Sequence, residues 1–145
     1  MDWKREAEND LKLYAGRCRA LKNIKERHRI LKEEMTGLRG VSTDRIPTQS
    51  GGSRMEEALV NNIVERQKLE LTYKLTQRLV KLTRQGLEAL SPQERELLCR
   101  FYVEPGRYTA DQLSEQLHLE RSRLYRLKEQ ALYHFTIGMY GIEKL

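Results

Sequence analysis

Cysteine is nearly absent from this chain. Cys18 and Cys99 are the only two in 145 residues, and they lie far apart inside helical patterning. A disulfide framework and a paired metal-ligand spacing are both excluded, and a reducing compartment fits best. Long apolar runs are missing as well. No stretch is apolar enough to span a bilayer, and the start Met1-Asp2-Trp3-Lys4-Arg5-Glu6 has none of the character of a secretion signal. A soluble, cytoplasmic protein with no membrane partner is expected. There is no glycine-rich phosphate loop, because Gly51-Gly52 is not followed by Lys-Ser or Lys-Thr. The three histidines, His28, His118 and His134, have no Cys, Asp or Glu at ligand spacing, so each reads as structural. Neither a metal, a cofactor nor an enzymatic constellation is expected.

Charge is what the chain has in abundance. Charged residues make up 33% and hydrophobic residues 39%, with a mean hydropathy of −0.74, so much of the surface must face water. The length suits one domain or two very small ones. Lys and Arg number 27 against 21 Asp and Glu, a net charge of +6. That balance favours a polyanionic partner without naming one.

The patterning is helical from end to end. Ala7, Leu11, Tyr14, Cys18, Leu21, Ile24, His28, Leu31, Met35 and Leu38 recur at spacings of three or four, which predicts one long amphipathic helix over about 2–38. The steps from 18 to 21 to 24 shift its seam, as a stammer does. Residues 40–53, rich in Gly, Ser, Thr and Pro, read as a flexible linker. Ser53-Arg54-Met55-Glu56 matches a capping box, which predicts a second helix over 54–90. That helix carries two apolar stripes. One contains Leu59, Ile63, Tyr73, Val80 and Leu87, the other Val60, Val64, Leu71, Leu75, Leu79 and Leu82. The two long helices are expected to fold back as an antiparallel hairpin devoted to assembly. The surplus stripe then covers either the C-terminal module or a second protomer, and the chain is expected to be a homodimer.

From Ser91 the helices become short and sharply bounded. Ser91-Pro92-Gln93-Glu94 joins a Ser cap to Pro at the first helical position and Glu at the third. A helix to about Val103 follows, then a stop at Glu104-Pro105-Gly106-Arg107. Thr109-Ala110-Asp111-Gln112 opens a two-turn helix, His118-Leu119-Glu120 makes a three-residue turn, and a third helix buries Leu124, Leu127, Ala131 and Phe135. This order predicts an all-α fold in which a long antiparallel helical hairpin precedes a helix-turn-helix module at 91–145. The second helix of that motif exposes Arg121, Ser122, Arg123, Tyr125, Arg126 and Lys128. Arg can grip guanine O6 and N7 bidentately, and hydroxyls can reach phosphates or base edges. Thr109 is expected to add backbone N–H contacts to phosphate. Double-stranded DNA is the expected partner. Even so, residues 91–145 hold eight cations and eight anions, so the chain's net charge lies in residues 1–90. Within 119–130, four cations face Glu120 and Glu129. A solvated helix face is the plain alternative for these arginines, and a solvated exterior is the favoured reading of the charges along the hairpin.

Leu90-Ser91-Pro92-Gln93-Glu94-Arg95-Glu96-Leu97-Leu98, the Thr109–Leu117 segment and the Leu119–Leu132 segment together resemble region 4 of sigma-70-type factors. With the hairpin ahead of it, the chain is similar to small phage-encoded regulators of the RinA and ArpU type, which activate late genes in Gram-positive bacteria. The resemblance implies promoter binding, possible contact with host RNA polymerase, and residence in the cytoplasm of a bacterial host cell. Two positions depart from the pattern. His118 stands where the turn commonly carries Gly, and Glu120 where the cap is usually Ser or Thr, an exchange that costs ~1 kcal/mol of helix stability. Two rivals share the architecture: a phage terminase small subunit that recognises packaging sites, and a helical adaptor that binds only protein.

Overall fold

A computed structural model describes residues 2–44, 49–106 and 108–142, and among them there is helix and no strand. The order is α1 (Trp3–Asp44), α2 (Gln49–Glu88), α3 (Pro92–Leu98) continued by one π-helical turn (Cys99–Val103), α4 (Ala110–Leu117) and α5 (Arg121–Tyr140). The fold is all-α. Among the described residues, no helix is long and apolar enough to cross a membrane.

The two long helices overrun the bounds expected from sequence. α1 reaches Asp44 and α2 starts at Gln49, so most of the segment read as the linker 40–53 is helical, and only 45–48 lie outside the described residues. Ser53 is therefore inside α2 and does not start it. Once a helix is nucleated, each further residue adds a hydrogen bond. A Gly in the path then costs only ~1 kcal/mol against Ala, too little to force a stop at Gly51-Gly52.

The chain divides into two compact units, Met1–Cys18 with Arg78–Leu145, and Arg19–Gln77. In the second unit α1 and α2 run antiparallel along a thin seam. Leu31 and Met35 are its buried apolar residues. Buried Asn62 donates from Nδ2 to the Leu31 carbonyl at 2.7 Å, and Arg66 donates to Asn62 Oδ1 at 2.9 Å and to the Met35 sulfur at 2.6 Å. His28 Nε2 meets Glu70 Oε1 at 2.8 Å.

The first unit holds the larger core. Ala7 and Leu11 from the start of α1, Leu87 from the end of α2 and Leu90 just beyond it, Leu98 and Tyr102 of the α3 segment, and Ala131, Leu132 and Phe135 of α5 are buried together. Residue 90, where the sequence changes texture, lies inside this unit. A second cluster, Leu97, Leu113 and Leu124, ties α3, α4 and α5. The end of α2 is closed by Arg95, whose guanidinium donates to the carbonyls of Leu87 (3.1 Å), Glu88 (3.3 Å) and Leu90 (3.3 Å). The Leu87 carbonyl also accepts from Leu90 N at 3.2 Å, and a cation among these terminal carbonyls complements the helix dipole. α3 opens with the expected capping box, Ser91 Oγ accepting from Glu94 N and Glu94 Oε1 accepting from Ser91 N, both at 3.3 Å.

α5 lies so close to α2 that Gly86 leaves no room for a side chain. A Cβ there would stand 2.8 Å from the Phe135 ring, which is fully buried and cannot yield. Gly86→Ala is expected to lower stability by about 1 kcal/mol, because overpacking at ~1 to 3 kcal/mol exceeds the ~1 kcal/mol gained in helix propensity. Gly37, with nothing within 4 Å of its Cβ position, should give the opposite sign. Melting temperatures by circular dichroism are expected in the order Gly37→Ala, wild type, Gly86→Ala.

Candidate nucleic-acid interface

The turn between α4 and α5 sets the direction of the arginines. Thr109 caps α4, its Oγ1 accepting from Gln112 N at 3.2 Å while its own N–H donates to Gln112 Oε1 at 2.9 Å. That N–H is therefore already bonded within the cap, and the exposed part of Thr109 is its side chain. α4 ends at His118, which takes φ 53° and ψ 43°. This left-handed conformation normally falls to Gly and costs other residues ~1 to 2 kcal/mol. The backbone accepts it because Leu119 N donates to Ser114 O at 3.0 Å and the Ser114 hydroxyl donates to Leu119 O. Glu120 then caps α5 without any side-chain hydrogen bond.

α5 is anchored by Leu124, Ala131, Leu132, Phe135 and Thr136, all buried. At ~100° per residue, Ser122 and Arg126 fall on the opposite side of the helix, with Arg123 flanking them. Arg121, Ser122, Arg123 and Arg126 are exposed. Arg121 makes only a loose approach to Asp111, 3.8 Å between two solvated groups. Arg123 and Arg126 hold no ion pair among the described residues. Tyr125 is 38% exposed and tilts its ring against Phe101, with centroids 6.0 Å apart.

Lys128 differs from the rest of the predicted set. Its side chain is largely buried, and its Nζ sits over three rings, 5.2 Å from Phe101, 5.4 Å from Tyr125 and 5.8 Å from Tyr102. The ring faces attract the ammonium group inward, so the structure joins Lys128 to the core surface and leaves Arg123 and Arg126 on the outer face, with Arg121 exposed at the helix start, about 20° round the helix from buried Leu132.

One participant has no signature in the sequence. Lys4, at the start of α1, pairs with Glu129 of α5, and Lys128 Nζ lies 3.7 Å from the same carboxylate. The hydrogen bond from Lys4 is the main reason the Glu129 carboxyl is held below its usual range. Glu129, counted as an opposing charge in the sequence, is thereby neutralised within one turn of Arg126. The two partners are separated by most of the chain, and no local spacing announces such a pair.

His134, near the far end of α5, meets Glu94 across to α3, Nδ1 to Oε2 at 2.5 Å. Burial would raise the Glu94 carboxyl, but hydrogen bonds with His134 and Ser91 outweigh it and hold the group below its ordinary value. Among the described residues, no group of three or more His, Cys, Asp and Glu side chains is placed to hold a metal ion. No family model, curated protein or solved structure matches the chain.

Two expectations follow from this geometry. His118→Gly removes the left-handed strain and should stabilise the protein by about 0.5 to 1 kcal/mol, part of the relief being offset by the freer unfolded chain; chemical denaturation measures it. For Glu94, a lowered folded value means that its stabilisation is complete above the ordinary carboxyl range and fades as pH falls through the folded value. The stability gap between wild type and Glu94→Gln should therefore close on acidification from about pH 6 to pH 3, followed by thermal melts.

Proposed function

We propose that this protein is a sequence-specific DNA-binding regulator of transcription that inserts the front of α5 into the major groove, with α4 and the turn at His118 forming the other half of a helix-turn-helix. The observation that carries the reading is the arrangement of α5: Arg121, Arg123 and Arg126 reach solvent from its first two turns while Leu124 and the residues behind it are buried. A rigid backbone presenting guanidinium groups outward matches the donor requirements of base edges and phosphates. The likeness of residues 90–132 to sigma region 4, and of the whole chain to phage late-gene regulators of the RinA and ArpU type, supports a role at promoters in a bacterial host, with host RNA polymerase as a second partner.

Arg123 and Arg126 are assigned to base or near-base contacts, and Arg121, Ser122, Tyr125 and the Thr109 hydroxyl to flanking ones. With Lys128 tied to its rings, even three arginines all meeting phosphates would give a salt slope no steeper than about −2.7 per chain, at about −0.9 for each phosphate neutralised. One copy alone therefore binds weakly, and two copies on a paired site supply the remaining affinity.

Selection from a random duplex pool followed by mobility-shift titration tests this. An enriched motif is expected, and Arg123→Ala or Arg126→Ala should cost ~1 to 3 kcal/mol on it while relaxing preference at one base pair. Lys128→Ala should lower stability and leave the salt slope unchanged. Absence of any enriched motif would favour the protein-binding adaptor.

A further inference from the structure

The face of α2 that points away from α1 in the Arg19–Gln77 unit is apolar and uncovered. Val60, Val64, Leu71 and Leu75 are 57%, 40%, 59% and 51% exposed. At ~100° per residue they lie within about 60° of arc, roughly 170° round the helix from Asn62, which bonds to α1. A patch of this kind marks an interaction surface, since isolated exposed apolar residues are ordinary but an aligned row of four is not.

Within this unit the steps along the row are four, seven and four, so a second copy can match it in either direction, and charge selects between the two. We propose that a second copy of the chain docks on this stripe antiparallel, about a two-fold axis passing between residues 67 and 68. Val60 then lies opposite Leu75 of the second copy, and Val64 opposite its Leu71. Such an interface is self-complementary, as a closed two-fold dimer requires. Charge favours the same orientation. Glu65, Arg66 and Glu70 are engaged towards α1, and the charges that flank the stripe are Glu56 and Glu57 in its first half and Lys68 and Lys74 in its second. Antiparallel copies place the negative half of one beside the positive half of the other, whereas parallel copies set like against like. A polyanion has nothing to gain from four apolar side chains, so this stripe and the arginines of α5 are separate surfaces.

The inference does not rest on DNA binding, and its test contains no nucleic acid. Sedimentation equilibrium of the full chain is expected to give twice the 17.2 kDa mass of one chain. Leu71→Glu should raise the dissociation constant at least about tenfold, equivalent to ~1.4 kcal/mol, with helical content and melting behaviour of the monomer retained. In this register residue 57 lies opposite residue 78 of the second copy, so Glu57→Lys should weaken the dimer, and Glu57→Lys with Arg78→Glu in the same chain should restore it, which a parallel arrangement does not allow. A wild type that stays monomeric at about 100 µM, a dimer indifferent to Leu71→Glu, or a double charge exchange no better than the single one would each overturn the proposal.

Discussion

The outward face of α5 depends on how its inward face is held. Phe135 is without exposed surface and sits against Gly86 of α2, while Ala131 and Leu132 are buried with Ala7 and Leu11 of α1. Leu124, one turn into the helix, is fixed separately by Leu97 and Leu113. A helix seated at both ends of its apolar side has no freedom to roll, so its polar side is fixed by exclusion. The arginines need no contacts of their own to stay outside. They are exposed because every other orientation would place a guanidinium group in the core, at a desolvation cost that no partner there offsets.

Electrostatics then decide how much of the face is free to attract an anion. Taken by residue count, the C-terminal segment is neutral, yet charge is not distributed as the count suggests. Arg95 is spent on the carbonyls ending α2, Arg100 pairs with Glu96 at 2.7 Å and stacks over Tyr108 at 4.7 Å, and Lys128 lies among aromatic rings. On the acidic side, Glu129 is compensated by Lys4 and Glu94 by its hydrogen bonds to His134 and Ser91. The arginines at the front of α5 are left less engaged than either the internal cations or the internal anions. Exposed Asp111, Glu115 and Glu120 are as little engaged as the arginines, so the module as a whole stays balanced and only the outer side of α5 sets Arg123 and Arg126 together.

Much of this was legible in the sequence where the signal was local. The caps at Ser91 and Thr109, the three-residue turn, the buried stripe of α5 and the exposed arginines all follow from spacings of three or four and from capping chemistry. The second apolar stripe of α2 was also readable, and it stands uncovered as a helix with too broad a face should. Expectations failed where a local preference was weak against cooperative helix growth, as at Gly51-Gly52 and Ser53. Features that depend on partners distant in sequence had no local signal: nothing near Lys128 predicts that three rings converge on its ammonium, and nothing near Glu129 predicts Lys4. The left-handed turn at His118 lies between these cases. The sequence showed an unusual residue at the position, and only the hydrogen bonds from Ser114 and Leu119 explain why it is tolerated.

The polar residues in the seam of the Arg19–Gln77 unit explain why that unit can leave an apolar row exposed without ambiguity about which face goes inside. Asn62 is buried and finds its partner in the Leu31 carbonyl, and Arg66 extends the same network to Met35. Rolling α2 so that Val60, Val64, Leu71 and Leu75 faced α1 would bury more apolar surface but would carry Asn62 into solvent and break that bond. Sliding the helices by one turn would still offer Asn62 a backbone carbonyl, but it would part Arg66 from the Met35 sulfur and His28 from Glu70. A hydrophobic seam alone offers many near-equivalent registers, whereas these side-chain pairs select among them. The seam therefore trades apolar contact for a defined pairing, and the apolar row it leaves outside keeps a fixed direction.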